Sequence, residues 1–389
     1  MKKNIKKQRV CLVSMPPKVG DDIETRTADF IRPIKKLTNK IILITGPIKN
    51  DTFDDDIVKT ITMNEYRFKE RSPVIRILRL LFHQLKMCRI IYKNRDNFDI
   101  IIFRLGGPIR IFPIILSKFL NKKIVLFLTT SFSNVMKVKY KEWLFGLGGR
   151  LVNNLSKLIL FFNCWLSDRI VLLSNSMIGM HNFFLKKEIN SKIVVCYDRF
   201  INPDLFYKKI DLNKRDNIIG FVGRFSKEKG ILNLIEALSF LPELKIFLIG
   251  SGYLSDQINE YSIKNKLKDK IKIIGQIPHN ELNEYFNQFK LLVLPSYSEG
   301  LPTVILESMS SGTPVLSTSV GGIPDIIKDK KTGFLMKDNS PMCIARNVKR
   351  AINYPELDDI SVNAKNYVNN ISSEEKIIEN YRRVLFGLQ

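Results

Sequence analysis

Short, almost wholly apolar runs alternate with amphipathic helical patterns along this chain, and that alternation limits the fold more than any other feature. Runs at 9–14, 40–45, 99–103, 123–128, 169–174 and 192–196 form one series. Runs at 218–222, 244–249, 271–274, 290–294 and 313–317 form a second. A strand with one wet face alternates apolar and polar residues, whereas a parallel strand covered by helices on both faces does not. Helical spacing lies between the runs, as at 231–241 and 280–288. Two series of this kind predict two doubly wound α/β domains.

The polar, proline-bearing stretch 198–217 has no apolar period and marks the predicted boundary. The expected organisation is an N-terminal Rossmann-like domain over 1–197 and a second over 198–370. Past 332–336 the pattern is helical to the end, and a terminal helix over 371–389 is expected to pack back on the first domain. Ligands of open parallel sheets bind beyond the carboxyl ends of the strands, so the site is expected in the cleft between the domains.

Charge divides unevenly between the halves. Residues 1–200 hold 37 Lys and Arg against 16 Asp and Glu, while residues 201–389 hold 25 against 22. The first half is therefore expected to face something anionic, a membrane surface, a phosphorylated substrate or nucleic acid, with general compositional drift toward Lys, Asn and Ile as the alternative source of part of the excess. In 72–93, Ser72 suits a helix cap and Pro73 the first turn. Arg76, Arg79, His83, Lys86 and Lys93 then recur at helical spacing against Leu78, Leu81, Leu85 and Cys88. Such a basic face fits a helix lying on anionic lipid, and equally a helix that covers the sheet with its basic face in water. The aromatics of 140–166 favour the lipid reading. No apolar run reaches the ~18 residues of a membrane span. The N-terminal apolar stretch is too short for a secretory leader, so a cytoplasmic protein is expected, peripheral on the inner face of the cell membrane.

Cys11, Cys88, Cys164, Cys196 and Cys343 are far apart, and His83, His181 and His279 share no ligand spacing, so reduced thiols and no metal site are expected. Asp54, Asp55 and Asp56 contain an Asp-x-Asp pattern but read as a solvated acidic turn. Gly250–Ser251–Gly252 follows a strand as a dinucleotide fingerprint would. Ser255 stands at its third glycine position, which disfavours a dehydrogenase.

Three motifs carry chemistry. In GFVGRFSKEKG (220–230), Gly223 permits a tight turn after a strand, and Arg224 and Lys229 flank a helix start, an arrangement suited to a diphosphate. In SYSEGLPTVILESMSSGTPVL (296–316), Glu299 sits in a turn with Gly300 and Pro302. Gly300, Leu301 and the first helical turn offer unpaired N–H groups. Glu307 lies eight residues on, in a largely apolar helix where a carboxylate needs a hydroxyl or cationic partner. SVGGIPDII (319–327) and KTGFLM (331–336) supply further turn chemistry in the same cleft.

The ordered set GRFSKEKG, LIGSG (248–252), IIGQIPHNEL (273–282), LPSYSEGLPTVILESMSSGTPVLSTSVGGIPDII and TGFLM closely resembles glycosyltransferase family 4, retaining enzymes of the GT-B fold. The resemblance is strongest over 165–340, with SDRIVLLSNSM (167–177) the familiar stretch before the boundary. It implies two Rossmann-like domains facing across a cleft. It also implies Arg224 and Lys229 on the donor diphosphate, Glu299 facing the donor sugar and Glu307 on the nucleotide ribose. Gly223, Gly300, Leu301 and Pro302 would line sugar and phosphate, and Ile277 would lie against the base. Of the family's glycine-rich loop after the first strand only Gly20 remains, in SMPPKVGDD (14–22). The histidine that many members carry after a mid-domain strand is absent from FLTTSFSN (127–134), which has Thr129 and Thr130.

The function so implied is retaining sugar transfer, of hexosyltransferase type. The donor is a UDP- or GDP-linked sugar, no cofactor is used, and the acceptor is a lipid-linked or cell-surface glycan. Two alternatives remain at this stage: a non-catalytic binder of anionic polymer or nucleic acid, and a nucleotide-sugar epimerase of the same fold. The first lacks any nucleic-acid module and leaves Glu299 and Glu307 unexplained, so no nucleic-acid partner is expected.

Overall fold

The computed structural model describes residues 8–14, 21–46, 53–63, 73–105, 110–129, 147–180 and 182–387. Gly20, Ser72, Thr130, His181 and residues 140–146 lie outside them, as does the side chain of Arg76. The described chain forms two parallel sheets. The first contains β1 (Gln8–Ser14), β2 (Thr38–Thr45), β3 (Val58–Thr62), β4 (Ile100–Leu105), β5 (Lys123–Leu128), β6 (Arg169–Leu172) and β7 (Ile193–Val195), in the order β3-β2-β1-β4-β5-β6-β7. The second contains β8 (Ile218–Val222), β9 (Lys245–Ile249), β10 (Ile271–Gly275), β11 (Leu291–Leu294), β12 (Val315–Thr318) and β13 (Phe334–Met336), in the order β10-β9-β8-β11-β12-β13. Every pairing is parallel. Strand order reverses beside β1 and β4 in one sheet and beside β8 and β11 in the other. These are the switch points where open sheets of this type leave a crevice.

The central strands are buried on both faces, as their unbroken apolar runs require. In the first sheet Val10, Leu12, Ile100, Ile102 and Phe127 face one core, while Cys11, Val13, Ile101, Phe103 and Leu126 face the other. The first core is covered by α1 (Asp21–Leu37), whose Phe30, Ile31 and Ile34 are buried. The opposite core is covered by α2 (Pro73–Lys93), α3 (Ile111–Phe119) and α4 (Leu147–Leu166), which pack side by side. A single turn, α5 (Lys187–Asn190), precedes β7. Two strands escape the sequence pattern, β3 and β13. Both are edge strands, one half-buried and polar (VKTIT) and one of three residues, so neither carries a long apolar run.

In the second domain α6 (Ile231–Ala237), α7 (Ser255–Lys264), α8 (Leu282–Phe286), α9 (Thr303–Ser310), α10 (Ile323–Ile326) and α11 (Pro341–Ile352) surround the sheet. Then α12 (Leu357–Ser372) leads back, and α13 (Glu374–Phe386) packs on α1 of the first domain. Tyr381 of α13 is wholly buried, 5.5 Å from the ring of Phe30 and 5.9 Å from that of Phe127. Lys123 and Arg169 donate to the last-turn carbonyls of Leu385 (2.6 Å) and Val384 (2.7 Å). Cations there also meet the negative end of the helix dipole.

Helix α2 keeps Arg79, Lys86 and Lys93 exposed, but its apolar side chains are not all on the sheet. Its inward residues are Gln84, Met87 and Ile91. Leu78, Leu81 and Leu85, which would cover the sheet in one of the two sequence readings, are 60%, 37% and 59% exposed, and Phe82 is 71% exposed. Cations and large apolar groups therefore share one outer surface. The apolar residues of this helix recur on two faces, and spacing alone does not say which face meets the sheet.

Candidate active site

The two principal motifs leave the sheet at its switch point. Residues 223–230 follow β8 and residues 295–302 follow β11, its neighbour. Gly223 extends β8 by one bond, its N–H donating to the Ile249 carbonyl at 2.9 Å. Phe225 and Ser251 join the β8 and β9 loops in the same way, so the Gly250–Ser251–Gly252 turn is used in packing loop on loop. Lys227–Lys229 forms a 3-10 turn, and Gly230 then enters α6 at φ +67°. A Cβ on Gly230 would lie 2.0 Å from the Pro295 carbonyl oxygen, so only glycine lets the two loops meet.

That contact brings Lys229 to Glu299. The Lys229 ammonium lies 2.6 Å from Glu299 Oε1, and the Ser296 hydroxyl donates to the same oxygen at 2.6 Å. The pair is enclosed, with the lysine side chain 18% and the glutamate side chain 8% exposed. Arg224 differs, being open to water and 3.3 Å from Glu228 Oε1. Both cations are thus matched to carboxylates, and Lys229 retains donors beyond its bond to Glu299.

Gly300, Leu301 and Pro302 run from Glu299 into α9, with Pro302 at the cap position and no capping side chain. Gly321 and Gly322 lie against them. A Cβ on Gly321, at φ +60°, would stand 2.0 Å from the Glu299 carbonyl oxygen, and the Gly322 N–H donates to the Gly300 carbonyl at 2.7 Å. The SVGG turn therefore shares the site with Glu299. Glu307, inside α9, is buried, and its Oε1 is 2.8 Å from His279 Nε2. Ile277, half-buried, precedes His279 by two residues in the loop after β10.

Sequence reasoning missed two participants. His279, which shares no ligand spacing with the other histidines, supplies the polar partner that Glu307 needs, and its ring meets Phe206 edge-on at 5.1 Å. Asp29, on α1 of the other domain, is the second. Burial raises its carboxyl above the usual range, while Arg32, His279 and Arg199 pull it down and Glu307 pushes it up. The rims also meet directly: the Ser176 amide donates to the Asp325 carboxylate at 3.0 Å, and the Ser176 hydroxyl bonds its other oxygen. No local spacing signals a pairing of residues so far apart in sequence.

The acidic turn is structural. Asp55 Oδ1 accepts from the N–H groups of Ile57 (2.9 Å) and Val58 (2.8 Å), Asp54 Oδ1 accepts from Thr60, and Asp55 pairs with Lys35. Among the described residues no three His, Cys, Asp or Glu side chains gather as a metal site would require, and no helix is long and apolar enough to cross a membrane.

Residues 204–367 match the family model of group 1 glycosyl transferases, a span that contains Arg224, Lys229, Ile277, Glu299 and Glu307. The chain is 30% identical over 228 residues to an uncharacterized glycosyltransferase of Methanocaldococcus jannaschii, covering 54% of this chain and 64% of that protein. It is also 30% identical over 150 residues to the D-inositol 3-phosphate glycosyltransferase of Streptomyces scabiei, covering 35% and 34%. The chain thus spans less than two thirds of either relative. Solved structures match nearly end to end. The Anabaena protein HepE, crystallised with UDP and glucose, aligns at a TM-score of 0.70 and 17% identity, covering 98% of this chain and all of that one. Sucrose-phosphate synthase of Thermosynechococcus elongatus aligns at 0.74 and 18%, with the same coverage. WaaG, a glycosyltransferase involved in lipopolysaccharide biosynthesis, aligns at 0.68 and 16%, covering 97% and 100%. The fold is GT-B, two Rossmann-like domains across a cleft.

Proposed function

We propose that this chain is a retaining, hexosyltransferase-type glycosyltransferase that moves a sugar from a UDP- or GDP-linked donor to a hydroxyl of a lipid-linked or cell-surface glycan. It would work on the cytoplasmic side, at the inner face of the membrane. The observation that carries this reading is the enclosed Lys229–Glu299 pair beside the start of α9, inside the span that matches group 1 glycosyl transferases. A nucleotide diphosphate has what the site lacks: two ribose hydroxyls for Glu307, and phosphate oxygens for Lys229, Arg224 and the N–H groups of Gly300 and Leu301.

In the reaction the bond from the sugar's anomeric carbon to the diphosphate oxygen breaks. The leaving charge meets Lys229, Arg224 and those N–H groups, donors already in place where charge develops. The acceptor oxygen bonds to the same face of the sugar and passes its proton to a departing phosphate oxygen, so configuration is kept. Glu299, held by Lys229 and Ser296, faces the sugar. Glu307 takes the ribose, exchanging or sharing its bond with His279.

Labelled UDP- and GDP-sugars test this directly. Transfer to a hydroxyl acceptor or slow hydrolysis is expected, together with a rise in melting temperature on adding the right nucleotide, since a ligand bound only to the folded state stabilises it. Isomerised sugar without transfer would make the chain an epimerase, and no response to any nucleotide would remove the reading. Activity is also expected to persist in EDTA, because the acidic turn is spent on backbone N–H groups and Lys35. Complete loss restored by manganese would refute the assignment of diphosphate binding to the two cations.

A further inference from the structure

The outer surface formed by α2, α3 and α4 has two properties that seldom coincide. It is apolar: Phe82 on α2 is 71% exposed, Phe119 on α3 82%, and Trp165 on α4 55%. It is also basic: the three helices carry eight Lys or Arg and no Asp or Glu in their own sequences. A solvated basic face would spread its cations among carboxylates, as α1 does with Asp21, Asp22, Glu24 and Asp29 in its own sequence. Soluble proteins seldom leave a large contiguous apolar patch in water without a use for it.

The exposed residues of each helix lie opposite its buried ones, so all three outward stripes belong to one surface. On α2 the stripe is Leu78, Phe82 and Leu85, with Lys86, Arg89 and Lys93 beside it. On α4 it is Leu155, Leu158, Phe162 and Trp165, with Arg150 and Lys157 exposed nearby. On α3, Phe112 and Phe119 sit between them. The layer is braced from within: Gln84 of α2 accepts from the Phe112 N–H of α3 at 3.3 Å, and Arg110 reaches Met87 Sδ at 3.4 Å. Lys118 of α3 is engaged with Asp168 at 2.8 Å.

We infer that this three-helix surface docks on an anionic lipid bilayer, with Phe82, Phe119 and Trp165 entering the headgroup region and the flanking cations meeting lipid phosphates. The inference deepens the membrane-side location proposed above but concerns a different surface from the donor site. Cations without acid select a negative partner, and aromatic side chains among them select one with an apolar interior. An acidic protein surface would satisfy the first requirement only. A second copy of this chain would place like charge on like charge. Topology gives the arrangement a use, because α2, α3 and α4 run antiparallel to the strands and begin at the cleft end of the sheet. A bilayer on this surface therefore lies alongside the cleft mouth.

Flotation with vesicles of phosphatidylglycerol and phosphatidylcholine tests the inference on the full chain. Wild type is expected on anionic vesicles and not on neutral ones. Changing Lys86, Arg89 and Lys93 to Ser should lower partitioning by about tenfold or more at physiological salt. Leu78→Ser, Phe82→Ser and Phe119→Ser together should lower it by at least as much without changing charge. In a Trp143→Phe background, Trp165 emission should shift to the blue on anionic vesicles and be quenched by brominated lipid. Binding untouched by the apolar changes, or unshifted Trp165 emission in vesicle-bound protein, would overturn insertion. Self-association of wild type without lipid, abolished by the apolar changes, would assign the surface to a second copy. The nucleotide-induced rise in melting temperature should be the same in all variants, which separates failure here from failure of the donor site.

Discussion

Replacing Lys229 by alanine is expected to lower turnover by ~10²–10³, the scale for removing one donor that stabilises charge in the transition state. Lys229 is the better placed of the two cations. Its ammonium is largely enclosed and fixed by Glu299, whereas Arg224 is open to water and held only by Glu228. Fixing lowers the reorganisation needed when charge develops on the leaving diphosphate, and enclosure strengthens the interaction. Arg224→Ala should fall in the same range if its guanidinium closes on the second phosphate.

The Lys229 variant also leaves Glu299 buried with only the Ser296 hydroxyl, and an unpaired buried carboxylate is costly. Part of the loss could then come from the fold, and two measurements separate the causes. The melting temperature without ligand reports the fold. The extra stabilisation by UDP over uridine reports the diphosphate, and in Lys229→Ala it should shrink while the uridine response persists. Wild-type turnover in both alanine variants would remove the pair from the mechanism.

The parallel sheets were legible because burial on both faces leaves unbroken apolar runs, which survive in any such strand whatever its neighbours. Strands β3 and β13 were not, since one is VKTIT, half polar, and the other has only three residues. The motif loops were legible for a related reason: glycines, cations and carboxylates at fixed spacing reflect local backbone geometry. What spacing does not contain is contact across the chain. His279 meets Glu307 from another loop, and Ser176 meets Asp325 across the cleft. The facing of α2 was illegible because both of its faces carry apolar residues, and only the packed sheet chooses between them.

Arg215 shows the same limit inside the boundary segment 198–217, whose polar composition reads as a plain linker. The residue is 6% exposed, and its guanidinium touches no carboxylate among the described residues. It donates instead to the carbonyls of Ile210, Phe286, Phe289 and Ser311, to the Thr313 hydroxyl at 2.6 Å and to Asn287 Oδ1. Burial pulls its pKa down to about 10, still far above neutrality, so the charge is kept. These acceptors end α8, precede β11 and precede β12, and one side chain ties all three to the chain entering the second domain. Arg215→Ala would remove the guanidinium donors that serve the carbonyls of Ile210, Phe289 and Ser311 and leave a void, at a cost of roughly 3–5 kcal/mol. Arg215→Lys should recover only part, because three donors on a point charge cannot serve acceptors spread around a planar fork of five. Urea unfolding measures both, with the nucleotide-induced rise in melting temperature as the check that the remaining folded protein keeps its site. A loss below about 1 kcal/mol for the alanine variant, the worth of one ordinary hydrogen bond, would mean that water replaces the guanidinium and that the segment is the linker its composition describes.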